Sequence, residues 1–290
     1  MKWAGNRESD NVENRRDEEV GGGFSVGISS LGIGTIAAVL AASYFFGINP
    51  LTAFQFFSGG GHAPIIHQAP AHHPPASDNM AKFVATVLAD TEDTWTPLFR
   101  QKGSAYIAPK LVLFSGKTPT ACGTGQTATG PFYCPSDKKI YIDLSFYQLM
   151  KNRFHDYGEF AQAYVIAHEV GHHVQNLLDI SGKVDNARRR VSEAQGNALS
   201  VRLELQADCF AGIWAYHANQ ARGIIEAGDI EAALSAATAI GDDALQKHAL
   251  GFVVPDTFTH GTSEQRVRWF KRGIDSGNLK NCNTFEAHQL

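Results

Sequence analysis

The chain has 290 residues, 43% of them hydrophobic, 4 cysteines and a formal net charge of −4. That length and apolar content suit one large domain or two small ones and exclude a disordered or collagen-like chain. A small negative charge with no long basic run excludes a phosphate-neutralising surface, so no nucleic-acid partner is expected.

The charges are unevenly spread. Val20 to Gly61 contains no Asp, Glu, Lys or Arg, and residues 24–48 ("FSVGISSLGIGTIAAVLAASYFFGI") exceed the ~20 residues that a hydrocarbon core requires. The stretch reads as one transmembrane helix within residues 20–49. A cleaved signal peptide is the rival; it fits less well because the apolar run outlasts an h-region of about 7–15 residues and follows a segment as acidic as it is basic. Lys2, Arg7, Arg15 and Arg16 precede the span and no Lys or Arg follows until Lys82. The positive-inside rule then predicts a single-pass inner-membrane protein, with residues 1–19 cytoplasmic and the bulk periplasmic or extracellular.

Residues 50–78 include "SGGGHAPIIHQAPAHHPPASD", a Gly, Pro, Ala and His-rich linker. Its His62, His67, His72 and His73 fit a spacer better than a metal-gathering tract. The folded domain is expected over 79–290. "MAKFVATVLADTEDTWTPLFRQKG" has helical spacing of Phe83, Val84, Val87, Leu88 and Trp95 and stops at Gly103. "KLVLFSG" and "KKIYIDLSF" read as strands, and the second, as an edge strand, would align an extended peptide.

Between them Cys122 and Cys134 bracket a Gly/Thr-rich loop that a disulfide would close, leaving Cys209 and Cys282 as a second pair. Three connectivities are open to four cysteines, and an external location favours bridges over thiols. From Asp156 onward the chain reads as mostly helical. Long helices are expected from Ser192 to about Arg222 and over "DIEAALSAATAIGDDALQKHAL", capped at Ser192 and Asp229.

The chemistry is concentrated in residues 163–178, "AYVIAHEVGHHVQNLL", where apolar positions recur at helical spacing. His168 and His172, four apart, share a helix face, the separation two imidazoles need to hold one small cation. Glu169 beside them completes HExxH, in which the histidines bind Zn2+ and the glutamate is general base toward the water that the metal activates. His173 points about 100° away and is not expected to bind metal.

The third ligand does not come from HExxHxxGxxH, since Gln175 and Leu178 occupy its Gly and His positions. Downstream, "NALSVRLELQADCFAG" sets Glu204 and Asp208 four apart on an apolar helix, and buried carboxylates need partners. Glu204 is the stronger candidate for ligand and Asp208 for acceptor of a ligand histidine's outer N–H, although either could reach the metal. A solvated pair beside Arg202 on a surface helix is the alternative.

"HEVGH" followed by "RLELQAD" resembles the gluzincin membrane proteases of the HtpX and CAAX prenyl protease type, which implies that Glu204 completes the zinc site. Nearly the whole chain, through "MKWAGNRESDNVENRR", "ACGTGQTATGPFYCPSD", "AIGDDALQ" and "PDTFTHGTSEQRVRWF", is similar to the bacterial YpfJ-type neutral zinc metallopeptidases. It departs from them in "RRDEE" and the His-rich linker. The CAAX-type resemblance further implies that His260, six residues before Arg266, lies past the ligand helix. His260 is then the candidate oxyanion donor, with capping of a helix start after Thr259 as its alternative role. Arg266 is expected to pair with a buried carboxylate such as Asp208 or Glu264.

The expectation is an α+β, zincin-like metallopeptidase domain, mostly helical with a small sheet, preceded by one transmembrane helix. It would act on a peptide or protein substrate with one Zn2+; nothing sets its oligomeric state. A non-catalytic envelope protein stapled by zinc and a hydrolase of peptidoglycan peptides are the alternatives, and three protein ligands plus Glu169 favour an open, catalytic site over the staple.

Overall fold

The computed structural model describes residues 1–18, 74–75, 77–127, 130–148 and 158–290. Strands β1 (Val12–Asn14), β2 (Lys110–Phe114), β5 (Phe132–Cys134) and β6 (Lys139–Asp143) form one mixed sheet in the order β1-β2-β6-β5; β3 (Lys117–Thr120) and β4 (Gly123–Gln126) form a separate hairpin. β2 pairs in parallel with β1 and β6, and β5 runs antiparallel to β6. The central strands are covered on both faces, as a continuous apolar run requires: Leu111, Leu113, Ile140 and Ile142 point into the helical core, while Val112, Phe114, Tyr141 and Cys134 form a smaller cluster behind. β6 is therefore interior. The expected edge-strand role of "KKIYIDL" is corrected, since β5 occupies that edge.

Helices α1 (Asn79–Gln101), α2 (Glu159–Leu177), α3 (Ile180–Arg188), α4 (Glu193–Arg222), α5 (Asp229–Ala239), α6 (Asp242–Leu250) and α7 (Ser263–Ser276) make up the rest. Asp78 caps α1, and capping boxes start α4 (Ser192 with Gln195) and α7 (Thr262 with Gln265). The single helix expected over 229–250 is two, broken at Gly241. A side chain at Gly241 would collide with the backbone of Ser263, so the break is where the start of α7 packs. α4 and α7 touch at backbone distance: a Cβ on Gly273 would run into the carbonyl of Cys209, and one on Gly212 into that of Phe270. Trp95, Trp214 and Trp269 fill the core around them. Disulfides join Cys122 to Cys134 and Cys209 to Cys282; the first closes a 12-residue separation and the second ties α4 to the C-terminal segment across 73.

The transmembrane helix and the single-pass membrane location are corrected. Among the described residues no helix is long and apolar enough to cross a membrane, and the stretch 24–48, like His62, His67, His72 and His73, lies outside the described residues. The N-terminal segment also packs on the domain from which it was expected to be separated. Val12 is in register with Leu111, and Arg15 N donates to the Leu113 carbonyl at 2.8 Å. Arg7 bridges Glu92 at 2.9 Å and Asp93 at 2.8 Å, and Arg16 Nη1 meets Asp78 at 2.6 Å. One crossing between residues 18 and 78 would put on opposite sides of a bilayer groups that are hydrogen-bonded to each other. β1 was illegible because "NVENRR" offers one apolar residue, Val12, and no period.

Candidate metal centre

α2 is buried almost all round, and Gly171, the fourth residue of "HEVGH", is where α4 crosses it. A Cβ at Gly171 would stand 2.9 Å from the Ala207 carbonyl oxygen and 3.1 Å from its Cα. That close approach places Glu204 and Asp208, one turn apart on α4, over the histidine face of α2.

His168, His172 and Glu204 converge. His168 Nε2 lies 3.2 Å from His172 Nε2 and 3.2 Å from Glu204 Oε2, and His172 Nε2 lies 3.5 Å from Glu204 Oε1. Two metal–ligand bonds of 2.0–2.1 Å at a tetrahedral angle set their donor atoms about 3.3–3.4 Å apart, so the trio has the spacing of three corners of a zinc tetrahedron. The two-imidazole, one-carboxylate donor set also suits zinc and leaves a fourth position for water or substrate.

The surrounding charges set the protonation of each group. Asp208, fully buried, accepts from His168 Nδ1 at 2.8 Å and from the Tyr164 hydroxyl at 2.5 Å. Arg266, buried in turn, grips both Asp208 oxygens at 2.9 Å through Nε and Nη2. Burial raises the Asp208 carboxyl, but Arg266 and His168 outweigh it and hold it down at about 2. Glu264 pairs with Arg268 instead. Burial likewise opposes charge on His168, yet the Asp208 and Glu204 carboxylates lift it to about 10, and Glu204 is held well below its ordinary range against its own burial by His172 and His168. Carboxylates this firmly ionised around two imidazoles make a pocket built for positive charge, which a divalent cation with neutral histidines supplies.

Glu169 differs from its neighbours. It is 7% exposed, is raised above its ordinary value by burial against the lowering effect of the two histidines, and has no hydrogen bond to another described residue. Tyr147, also buried, feels the Glu169 charge, and its hydroxyl has no partner among the described residues. His173, set aside as a ligand, turns the other way: Nε2 donates to the Ile107 carbonyl at 2.7 Å and Nδ1 accepts from Tyr133 at 3.0 Å, and burial lowers it to about 4.

His260 stands at the rim with its side chain 51% exposed. It does not cap a helix, since α7 starts at Ser263 and Thr262 is its cap. The Asp242 carboxylate fixes it, with Oδ2 accepting the backbone N–H groups of Thr259 (2.7 Å), His260 (2.6 Å) and Gly261 (3.0 Å) and Oδ1 lying 3.3 Å from His260 Nδ1. Partial burial lowers His260, but Asp242 and the nearby Glu204 charge raise it above its ordinary value.

Sequence reasoning missed three residues of this centre: Gln175, whose Oε1 faces His172 Nδ1 at 2.9 Å, Asp242 and Tyr147. Gln175 sits three residues after His172 on α2, so the i,i+3 spacing could have found it; Asp242 appears only within "AIGDDALQ", which signals no tertiary contact.

The family described as "Putative neutral zinc metallopeptidase" matches residues 1–285. The chain is 51% identical over 290 residues to the "Uncharacterized protein YpfJ" of Escherichia coli strain K12, covering 98% of this chain and 99% of that one. It is 44% identical over 207 residues to the "Uncharacterized protein Rv2575" of Mycobacterium tuberculosis and to the "Uncharacterized protein Mb2605" of Mycobacterium bovis, covering 68% of this chain and 67% of each of those. No solved structure matches it. With a match that runs from the N-terminal strand through α2 and α4 to the C-terminal segment, the chain belongs to this family.

Proposed function

We propose that the protein is a zinc-dependent peptidase that hydrolyses peptide bonds, with His168, His172 and Glu204 holding the metal and Glu169 acting as general base. The observation that carries this is the division among four groups in one pocket. Three converge at tetrahedral spacing, while the fourth, Glu169, is buried beside them and has no hydrogen bond to another described residue.

Zinc, when bound, polarises the scissile carbonyl and lowers the pKa of a water toward ~7. The protein's own groups do the rest. Asp208 keeps a proton on His168 Nδ1 and Gln175 keeps one on His172 Nδ1, so both Nε2 lone pairs face inward. The Glu169 carboxylate takes the proton of the attacking water and passes it to the leaving amine; its burial makes it a stronger base than an exposed glutamate. His260, oriented through Nδ1 and the loop that Asp242 holds, presents Nε2 as donor to the developing oxyanion. The Arg266–Asp208 pair orients His168 and does not touch substrate.

The test is a pair of variants assayed for metal content and for cleavage of a broad peptide library. Glu169→Gln is expected to keep stoichiometric zinc and lose hydrolysis, and Glu204→Gln to bind zinc more weakly. A Glu169→Gln protein without zinc, or a fully loaded wild type that cleaves nothing, would replace the catalytic site with a closed structural one.

A further inference from the structure

Gln175 occupies the position of the glycine in another zinc-peptidase motif, and the structure gives it a task of its own. It is fully buried, and Gln206 beside it is 5% exposed. The Gln175 amide nitrogen lies 2.6 Å from the Leu203 carbonyl, which only accepts, so the amide is fixed with Oε1 toward His172. His172 Nδ1 must then carry a hydrogen to donate across the 2.9 Å contact, and Nε2 is left with the lone pair that faces His168 and Glu204.

The second hydrogen of the Gln175 amide reaches Gln206 Oε1 at 3.2 Å, and Gln206 Nε2 donates to the Cys282 carbonyl at 2.9 Å. Cys282 is bonded to Cys209, the residue after Asp208, and Asp208 orients His168. The contacts close a ring from one histidine to the other through Gln175, Gln206, the disulfide and Asp208. Two buried amides cost stability unless every polar atom is met, and apolar side chains of that volume would fill the space as well, so packing does not account for them.

We infer that Gln175 and Gln206 are positioning residues that hold His172 in its metal-facing tautomer and anchor it to the Cys209–Cys282 bridge, so that the C-terminal segment sets metal affinity. The inference rests on the metal centre proposed above and deepens it.

Zinc affinity of the full chain, measured by competition with a chromophoric chelator, tests it together with the visible spectrum of the Co2+ form. Gln175→Met is expected to weaken zinc binding about 10–100-fold and to shift the Co2+ spectrum, the usual consequence of losing an outer-sphere partner. Gln206→Met should weaken it about tenfold, yet add nothing when combined with Gln175→Met, because it acts through Gln175. Cys209→Ala with Cys282→Ala should repeat the Gln206→Met result in both backgrounds. A Gln206→Met protein with wild-type affinity and spectrum, or one whose loss adds in full to that of Gln175→Met, overturns the relay while leaving the metal centre standing. A wild type without zinc affinity removes the centre itself.

Discussion

One carboxylate oxygen of Asp242 receives three consecutive backbone N–H groups, and the loop so formed is what carries His260 to the rim of the metal pocket. His260→Ala is expected to bind zinc normally and lose about 10²–10³ in turnover, the loss typical of an oxyanion donor. Asp242→Asn should fall in the same direction with His260 intact, because its amide accepts less strongly from the three N–H groups; turnover with metal content checked by elemental analysis reads both. At this scale the sequence is legible only where geometry is local. His168, Glu169 and His172 lie within two turns of one helix, and a four-residue spacing guarantees a shared face. Glu204 and Asp208 were likewise paired by spacing, but their direction toward zinc came from the cost of burying a carboxylate. Gln175, three residues after His172 on the same helix, lay within reach of that rule, whereas Asp242 and Tyr147 owe their places to segments far away in sequence, and no spacing encodes that.

Helix α4 reaches α2 through Gly171 and α7 through Gly212 and Gly273, so three missing side chains set how near the helix that carries Glu204 lies to its neighbours. Gly171→Ala should push Ala207 outward by a few tenths of an ångström and weaken zinc binding without unfolding the chain, because the clash falls between Glu204 and Asp208. Gly273→Ala meets backbone on the other side of α4 and should destabilise by about 1–3 kcal/mol or more in urea titration. The long helices and the two central strands were visible in the periodicity of their apolar residues. The break at Gly241 was not, because the pattern continues across it and only the packing of Ser263 forbids a single helix. β5 as the edge strand was equally hidden, since three residues, Phe132 to Cys134, carry no alternation to read.

The molecule as a whole is joined across its apolar N-terminal stretch by β1. Glu13 on that strand is buried between Arg15 at 2.6 Å and Lys139 at 2.9 Å. Burial alone would raise its carboxyl, but the hydrogen bonds and charges of Lys139 and Arg15 lower it below the ordinary 4.5. A folded value below the unfolded one means stabilisation that is complete above about pH 4.5 and is lost as the pH falls through the folded value. Glu13→Gln should therefore be less stable at neutral pH and show a flatter acid limb in denaturant titrations from pH 7 to 3. Because Arg16 meets Asp78 at 2.6 Å, the described residues on either side of 19–73 lie together. Replacing residues 20–73 with a short Gly/Ser linker should preserve both the melting temperature, within a few degrees, and zinc affinity, since closure entropy between two points that already meet varies only logarithmically with the length of the connection.

The register of β1 also sets a schedule for biosynthesis. Val12 is translated before its partner Leu111, which follows most of a hundred residues later, a delay of roughly 5–20 s at ribosomal speed. During that interval the strand has no ladder to join, and Glu13 has neither Lys139 nor a buried site to occupy. The strand is thus translated well before it can acquire its native hydrogen bonds.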